Sequence, residues 1–270
     1  MRTLFFNTSF TIAAIVIFYW LTGLYDTSLR DPRFFDGWIL FSAMGLQFLF
    51  HIRKKLPHLP LGNAAGWMQA HIYIGYFVIG AFALHTGFSL PDSPLDWALW
   101  SLFVTVAISG LFGTYLTRTI PVKIGHVSEQ IIFERIPPFQ FQLAREVEGL
   151  AAQSVARVGS RTISDFYMSN LRDFFKRPQN LLAHLRSSQR PLQRMCDKID
   201  SLDRYVDEAG KETLSTMKRL VVRKDKLDFQ YAHQGALQIW LFIHIPATYG
   251  LIVLTGLHMA IVYAYSSGTP

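Results

Sequence analysis

Four histidines stand in two segments that carry no formal charge. The stretch HIYIGYFVIGAFALH runs from His71 to His85, and HIPATYGLIVLTGLH runs from His244 to His258. Each opens and closes on an imidazole, with thirteen mostly apolar residues between. Fourteen residues of helix rise ~21 Å and return to within ~40° of the same face. Each segment therefore sets its two histidines on one stripe, far enough apart to lie near opposite surfaces of a bilayer. Histidine inside a membrane span is rare, because the buried polar ring needs a partner. A structural zinc wants four ligands and a catalytic one usually three, so a pair of imidazoles falls short of either. Haem iron already holds four equatorial nitrogens and needs two axial ligands, and its porphyrin presents an apolar face to Phe, Leu and Ile. Bis-histidine haem b is the best chemical fit. Two such haems, centred ~20 Å apart along the helix axis, would form an electron path with no open iron position for oxygen.

The elements that must hold these residues are legible in the composition. The 270-residue chain is half hydrophobic and only 17% charged, and its apolar residues cluster in runs. A bilayer core of ~30 Å takes about 20 apolar residues of helix. Five segments qualify as expected spans: Thr3–Leu24, Phe34–Phe50, Trp67–Gly87, Leu95–Leu116 and Ala236–Tyr263, the second being the shortest. The first follows Arg2 as a signal peptide would. Its length, its aromatic far end (Phe18, Tyr19, Trp20) and the lack of a small-residue cleavage pattern mark it instead as a retained span. The expected architecture is all-α: a membrane bundle of about five transmembrane helices with a helical insert. The divisions are 1–116 for spans one to four, 117–235 for the insert, and 236–270 for span five and a short tail.

Twenty of the 26 basic residues lie between Arg118 and Lys226, interleaved with acidic ones. With Arg2 and the loop HIRKKLPHLPLGN they fall on one side of a five-span topology, which the positive-inside bias makes cytoplasmic. An integral multi-pass protein of a bacterial inner membrane, with its insert in the cytoplasm, is expected. The net charge of +7 then reflects topology and proximity to anionic lipid, with no call for nucleic acid. Within the insert, Leu192, Met195, Ile199, Leu202 and Val206 recur at helical steps until Gly210. Leu214, Met217 and Val221 repeat the pattern, suggesting a helical hairpin. FQLAREVEGLAAQSVARVG and TISDFYMSNLRDFF read as two further helices. The single Cys196 excludes an intrachain disulfide, a four-cysteine iron–sulfur cluster and covalent c-type haem. There is no Gly-rich phosphate loop or dinucleotide fingerprint.

Histidine pairs fourteen apart on two membrane helices resemble the di-haem core of cytochrome b from the respiratory bc complexes. They also resemble the transmembrane domain of ferric reductases and NADPH oxidases. The likeness covers the membrane half alone. It implies that His71, His85, His244 and His258 are axial ligands, and spans three and five, both starting on the cytoplasmic side, pair them as His71–His244 and His85–His258. The chain departs from both families. It lacks the eight-helix length and PEWY sequence of the bc subunit, and the flavin and nicotinamide domains of the oxidases.

Neighbouring residues fit less specifically. Gly45, Gly75, Gly110 and Gly113 could admit a macrocycle, or help helices pack. Arg53, Lys54 and Arg118 on one side, and Arg30 or Arg33 on the other, are available to haem propionates. Pro246 is placed to kink span five and aim His244. Asp228, Tyr231 and His233 gather proton-bearing groups just before span five, as a quinone site requires, although interfacial capping of the helix is the better account of them. A third haem between His51 and His233 has no spacing behind it. His126 and His184 read as surface residues. The expected function is an electron-transfer subunit holding two b haems, with quinone or a cytoplasmic donor on one side. Partner subunits would be a c-type cytochrome, an iron–sulfur protein or a flavoprotein. The alternatives are a histidine-using transporter, for which the spans show essentially no acidic or basic partners, and a membrane scaffold without haem.

Overall fold

The computed structural model describes residues 2–27, 32–55, 62–127, 131–158 and 161–266, and among these the chain is helical with no strand. It divides into two units: Met1–Thr114 with Leu241–Pro270, and Tyr115–Trp240.

The first unit contains α1 (Arg2–Thr27), α2 (Pro32–Lys55), α3 (Ala64–His85), and parts of α4 (Pro94–Val127) and α10 (Glu208–Ser266). Capping fixes where the histidine helix starts: the Asn63 side chain accepts the Gly66 N–H at 2.6 Å. α3 ends at His85, and the chain turns through Gly87 at φ +58°, a left-handed conformation that glycine adopts freely. α4 begins with a reciprocal cap. Ser93 Oγ accepts the Asp96 N–H at 3.1 Å and donates to Asp96 Oδ2 at 2.7 Å, with Pro94 in the first turn. Phe18, Leu40, Ala43, Val78, Ala81, Phe103 and Leu251 form the core, and Phe82 stacks on Phe103 with ring centres 3.7 Å apart. Outward, Phe10, Ile17 and Trp20 of α1, and Phe242 and Val253 of α10, are exposed apolar side chains suited to lipid.

α1, α3, α4 and α10 are long and apolar enough to cross a membrane. The second expected span is the exception. α2 has the length, but Asp36, Gln47 and the basic end from Arg53 leave it more polar than the other four.

In the second unit, α5 (Ile136–Val158), α6 (Thr162–Phe166), α7 (Arg172–Lys176), α8 (Leu181–Leu185) and α9 (Arg190–Asp200) surround the first part of α10. The expected stripe of Leu214, Met217 and Val221 is buried, against Ile136, Val147, Leu171 and Ile199. Two boundaries differ from the sequence reading. The segment expected as one helix, TISDFYMSNLRDFF, contains a π turn at Tyr167–Leu171 between α6 and α7. Gly210 does not stop a helix but lies in the first turn of one, where Asp207 Oδ1 accepts its N–H at 2.9 Å. A Cβ there would come within 2.7 Å of Val206 Cβ. The helix so started continues for 59 residues, through Pro246, and carries both His244 and His258.

This unit encloses an ion pair. Lys224 and Asp228, one turn apart on α10, are both 0% exposed. Asp228 also accepts from Gln140 Nε2 at 2.7 Å and the Gln179 N–H at 3.0 Å, and Lys224 donates to the Arg177 carbonyl at 2.9 Å. α5 and the 177–179 segment are thereby tied to α10. Asp228→Ala strands the ammonium in the core and is expected to cost about 3–5 kcal/mol, whereas the double variant Lys224→Met/Asp228→Leu recovers most of it. Denaturant unfolding of the two variants checks this; equal destabilisation by both would contradict it.

Candidate functional site

Two of the four span histidines open onto one cavity. It measures about 830 Å³ and is lined by α2, α3, α4 and α10, with His85 and His258 in its wall beside Phe82, Trp100, Phe103 and Met259. These two histidines close the two fourteen-residue intervals and are the pair expected to face each other. Arg33 also reaches the wall, as do Asp36, Asp92 and Asp96.

The ring nitrogens are sorted by their neighbours. His85 Nδ1 lies 2.8 Å from Oδ1 of Asp36, a carboxylate 3% exposed. An ionised carboxylate can only accept, so Nδ1–H donates and the lone pair falls on Nε2. His258 Nδ1 faces Asp96 Oδ1 at 3.6 Å, an electrostatic contact longer than a hydrogen bond. Asp96 is held there by the Ser93 cap that starts α4. For His244, Nδ1 sits 2.6 Å from Ser109 Oγ, and that hydroxyl spends its proton on the Val106 carbonyl at 2.9 Å. His244 Nδ1–H is therefore the donor, and Nε2 again keeps the lone pair. This is the polarity that a metal-ligating histidine needs: one nitrogen anchored, the other basic. Among the described residues, Nε2 of His85 and of His258 makes no hydrogen bond. No three His, Cys, Asp or Glu side chains there cluster closely enough to hold a bare metal ion.

His71 packs its ring on Phe50, centres 5.2 Å apart. Two glycines lie against the imidazoles. A Cβ on Gly37 would stand 3.3 Å from His85 Cε1, and one on Gly110 would stand 3.7 Å from His244 Cε1. Gly75 instead meets Gln47, and Gly45 meets nothing within 4 Å. Arg53 donates to the Gly62 carbonyl at 2.8 Å. Arg30, His58 and the side chains of His51 and Lys54 lie outside the described residues.

Asp36, Asp96 and Ser109 were not singled out from sequence, and the view that the spans hold essentially no acidic partners is corrected by the first two. The clue for Asp36 was present, an ionisable residue inside the apolar run FFDGWILF. Nothing local marks Asp96 or Ser109 as histidine partners, since the cap and the helical hydroxyl each have an ordinary explanation.

The second candidate cluster disperses. Asp228 is enclosed by the ion-pair network, Tyr231 stacks on Phe133 with centres 4.9 Å apart, and His233 packs against Phe229, its Nδ1–H donating to the Phe229 carbonyl at 2.9 Å. His184 is also corrected: it is 4% exposed, edge-on to Phe229, with Nε2 3.6 Å from Asp225. Its burial has an electrostatic consequence. Desolvation, then the Lys224 and His233 charges, lowers the His184 pKa to about 4. Desolvation and Asp228, against the opposing pull of Lys224, raise that of Asp225 to about 6.

The two shifts oppose each other in stability. His184 is depressed, so its contribution is present above its ordinary 6.5 and is lost as pH falls through about 4. Asp225 is raised, so its contribution is present below its ordinary 3.8 and is lost as pH rises through about 6. Asp225→Asn leaves the histidine slope, and His184→Gln leaves the carboxylate slope. Relative to the parent, the melting temperature of Asp225→Asn should rise between pH 4 and 6 while that of His184→Gln falls. Parallel curves for all three proteins would refute the assignment.

No protein-family model, curated protein or solved structure matches this chain.

Proposed function

We propose that the chain is a membrane di-haem b cytochrome, an electron-transfer subunit with His71, His85, His244 and His258 as axial ligands in the pairs His71–His244 and His85–His258. The observation that carries this reading is the shared cavity. His85 and His258 line one cavity of about 830 Å³, with aromatic and aliphatic walls that also carry Arg33 and three aspartates, and turn Nδ1 toward carboxylates, leaving Nε2 basic. A chamber near the upper end of small-molecule sites, ~300–1,000 Å³, suits a cofactor of porphyrin size. The donor set fits as well: two neutral imidazoles complete haem iron but leave a bare metal ion short of ligands.

When bound, haem supplies reversible one-electron chemistry. The chain's own residues do the rest. Asp36 and Ser109 hold the tautomers of His85 and His244, Gly37 and Gly110 leave room beside the rings, and Phe82, Phe103 and Met259 exclude water. Arg33 at the cavity wall is the candidate for propionate charge on that side. On this reading, electrons pass between quinone or a cytoplasmic redox partner and a protein on the opposite face, such as a c-type cytochrome, an iron–sulfur protein or a flavoprotein. The basic bias of the 115–240 unit supports a cytoplasmic position for it, in a bacterial inner membrane. The Asp228–Lys224 network leaves no reason to seat a quinone at Asp228.

One observation favours a second reading. Carboxylate–histidine pairs inside membrane helices also serve proton relays, and Asp36–His85 is such a pair. Colour separates the two. Purified from cells able to make haem, the protein should be red, with a Soret band and a sharp reduced α-band. A colourless preparation would leave the relay. His85→Ala should remove about one of the two haems; full retention would overturn that ligand assignment.

A further inference from the structure

Asp36 presents a problem that the haem reading alone does not explain. A carboxylate 3% exposed, in a run of Phe, Trp, Ile and Leu, costs several kcal/mol unless it is paired. Among the described residues its partner is the imidazole of His85, at 2.8 Å. A neutral ring donates one hydrogen bond but brings no charge. Positive charge arriving at Nε2 of the same ring would be felt through the imidazole and would stabilise the carboxylate.

The other end of the same helices is built differently. His244 donates its Nδ1–H to Ser109, a hydroxyl that is neutral and already committed to the Val106 carbonyl. The contacts themselves differ in charge: a carboxylate lies behind the His85 ring and a second stands 3.6 Å from His258, whereas the group at His244 Nδ1 is a hydroxyl. Drawing the Nδ1 proton toward a carboxylate gives the ring imidazolate character and makes Nε2 the stronger donor. A stronger donor favours the more highly charged state of whatever metal it holds.

We infer that Asp36 is a positioning residue that strengthens His85 as a ligand and makes the His85–His258 site harder to reduce than it would be without that carboxylate. The inference rests on the di-haem reading. Asp96 supports the same bias more weakly, because its contact with His258 is longer and its pair more exposed. Ser109 orients His244 without itself adding charge.

The test is a spectroelectrochemical titration of the purified full-length protein, following the reduced α-band. The parent should titrate in two one-electron components. In Asp36→Asn, which keeps the shape but removes the charge, one component should become easier to reduce, with its reduced-to-oxidised ratio at fixed ambient potential rising by about tenfold. That factor is the difference between a hydrogen bond to a charged and to a neutral acceptor. The other component should stay in place. Asp36→Glu, which keeps the charge, should return toward the parent, and Asp96→Asn should shift the same component by less. If Asp36→Asn loses haem, Asp36→Glu still decides: a haem-loaded protein in which one component becomes about tenfold easier to reduce, although the charge is kept, overturns the inference. Two components unmoved in a fully loaded Asp36→Asn protein overturn it as well while leaving the di-haem reading intact. A parent that binds no haem removes that reading itself.

Discussion

A histidine ring in an apolar helix bundle has two nitrogens and no water to satisfy them. That constraint organises the first unit. One nitrogen of His85 is answered by Asp36 from α2, and one of His244 by Ser109 from α4. His258 is approached by Asp96, also from α4. Each answer comes from a different helix than the histidine itself, so the polar contacts and the helix packing specify one another. In these three rings Nδ1 is the nitrogen engaged, and Nε2 is the one left basic. An imidazole whose tautomer is chosen by its neighbours can act as a ligand without paying to reorganise.

The same logic operates in the second unit with a different outcome. Lys224 and Asp228 are removed from water altogether and satisfied by Gln140, the Gln179 N–H and the Arg177 carbonyl. Here the polar groups close on one another. Burial alone is thus no mark of a site. What distinguishes His85 from Lys224 is the chamber beside the ring and the nitrogen left open toward it. His233 and His184 are an intermediate case, buried and set either side of Phe229, with Nε2 of each lacking a hydrogen bond among the described residues.

Much of this was written in patterns that sequence carries well. Apolar runs near twenty residues long give the helices, and the repeated spacing of fourteen isolates the four histidines from the other five. The stripe of Leu214, Met217 and Val221 is buried as its period requires. What escaped was chemistry that depends on contact between distant segments. Asp36 and His85 are 49 positions apart, and Ser109 and His244 are 135 apart. No local pattern could couple them. Gly210 was misread for a related reason: glycine ends helices often, but here Asp207 caps a new one and takes the glycine into its first turn. His184 looked like a surface residue because its polar sequence neighbours do not reveal Phe229 and Asp225.

The uninterrupted course of α3 between His71 and His85, and of α10 between His244 and His258, carries a consequence for how such a chain can change over time. A helix advances 100° per residue, so one residue inserted or deleted inside either interval rotates the second histidine by ~100° from its present direction, leaving it ~60° or ~140° from the first. Both intervals are therefore closed to length variation, whatever substitutions they accept. The turn through Gly87 and Phe88, outside the helices, has no such phase to keep. Length polymorphism in this architecture belongs in its connections, and the number thirteen is its least negotiable feature.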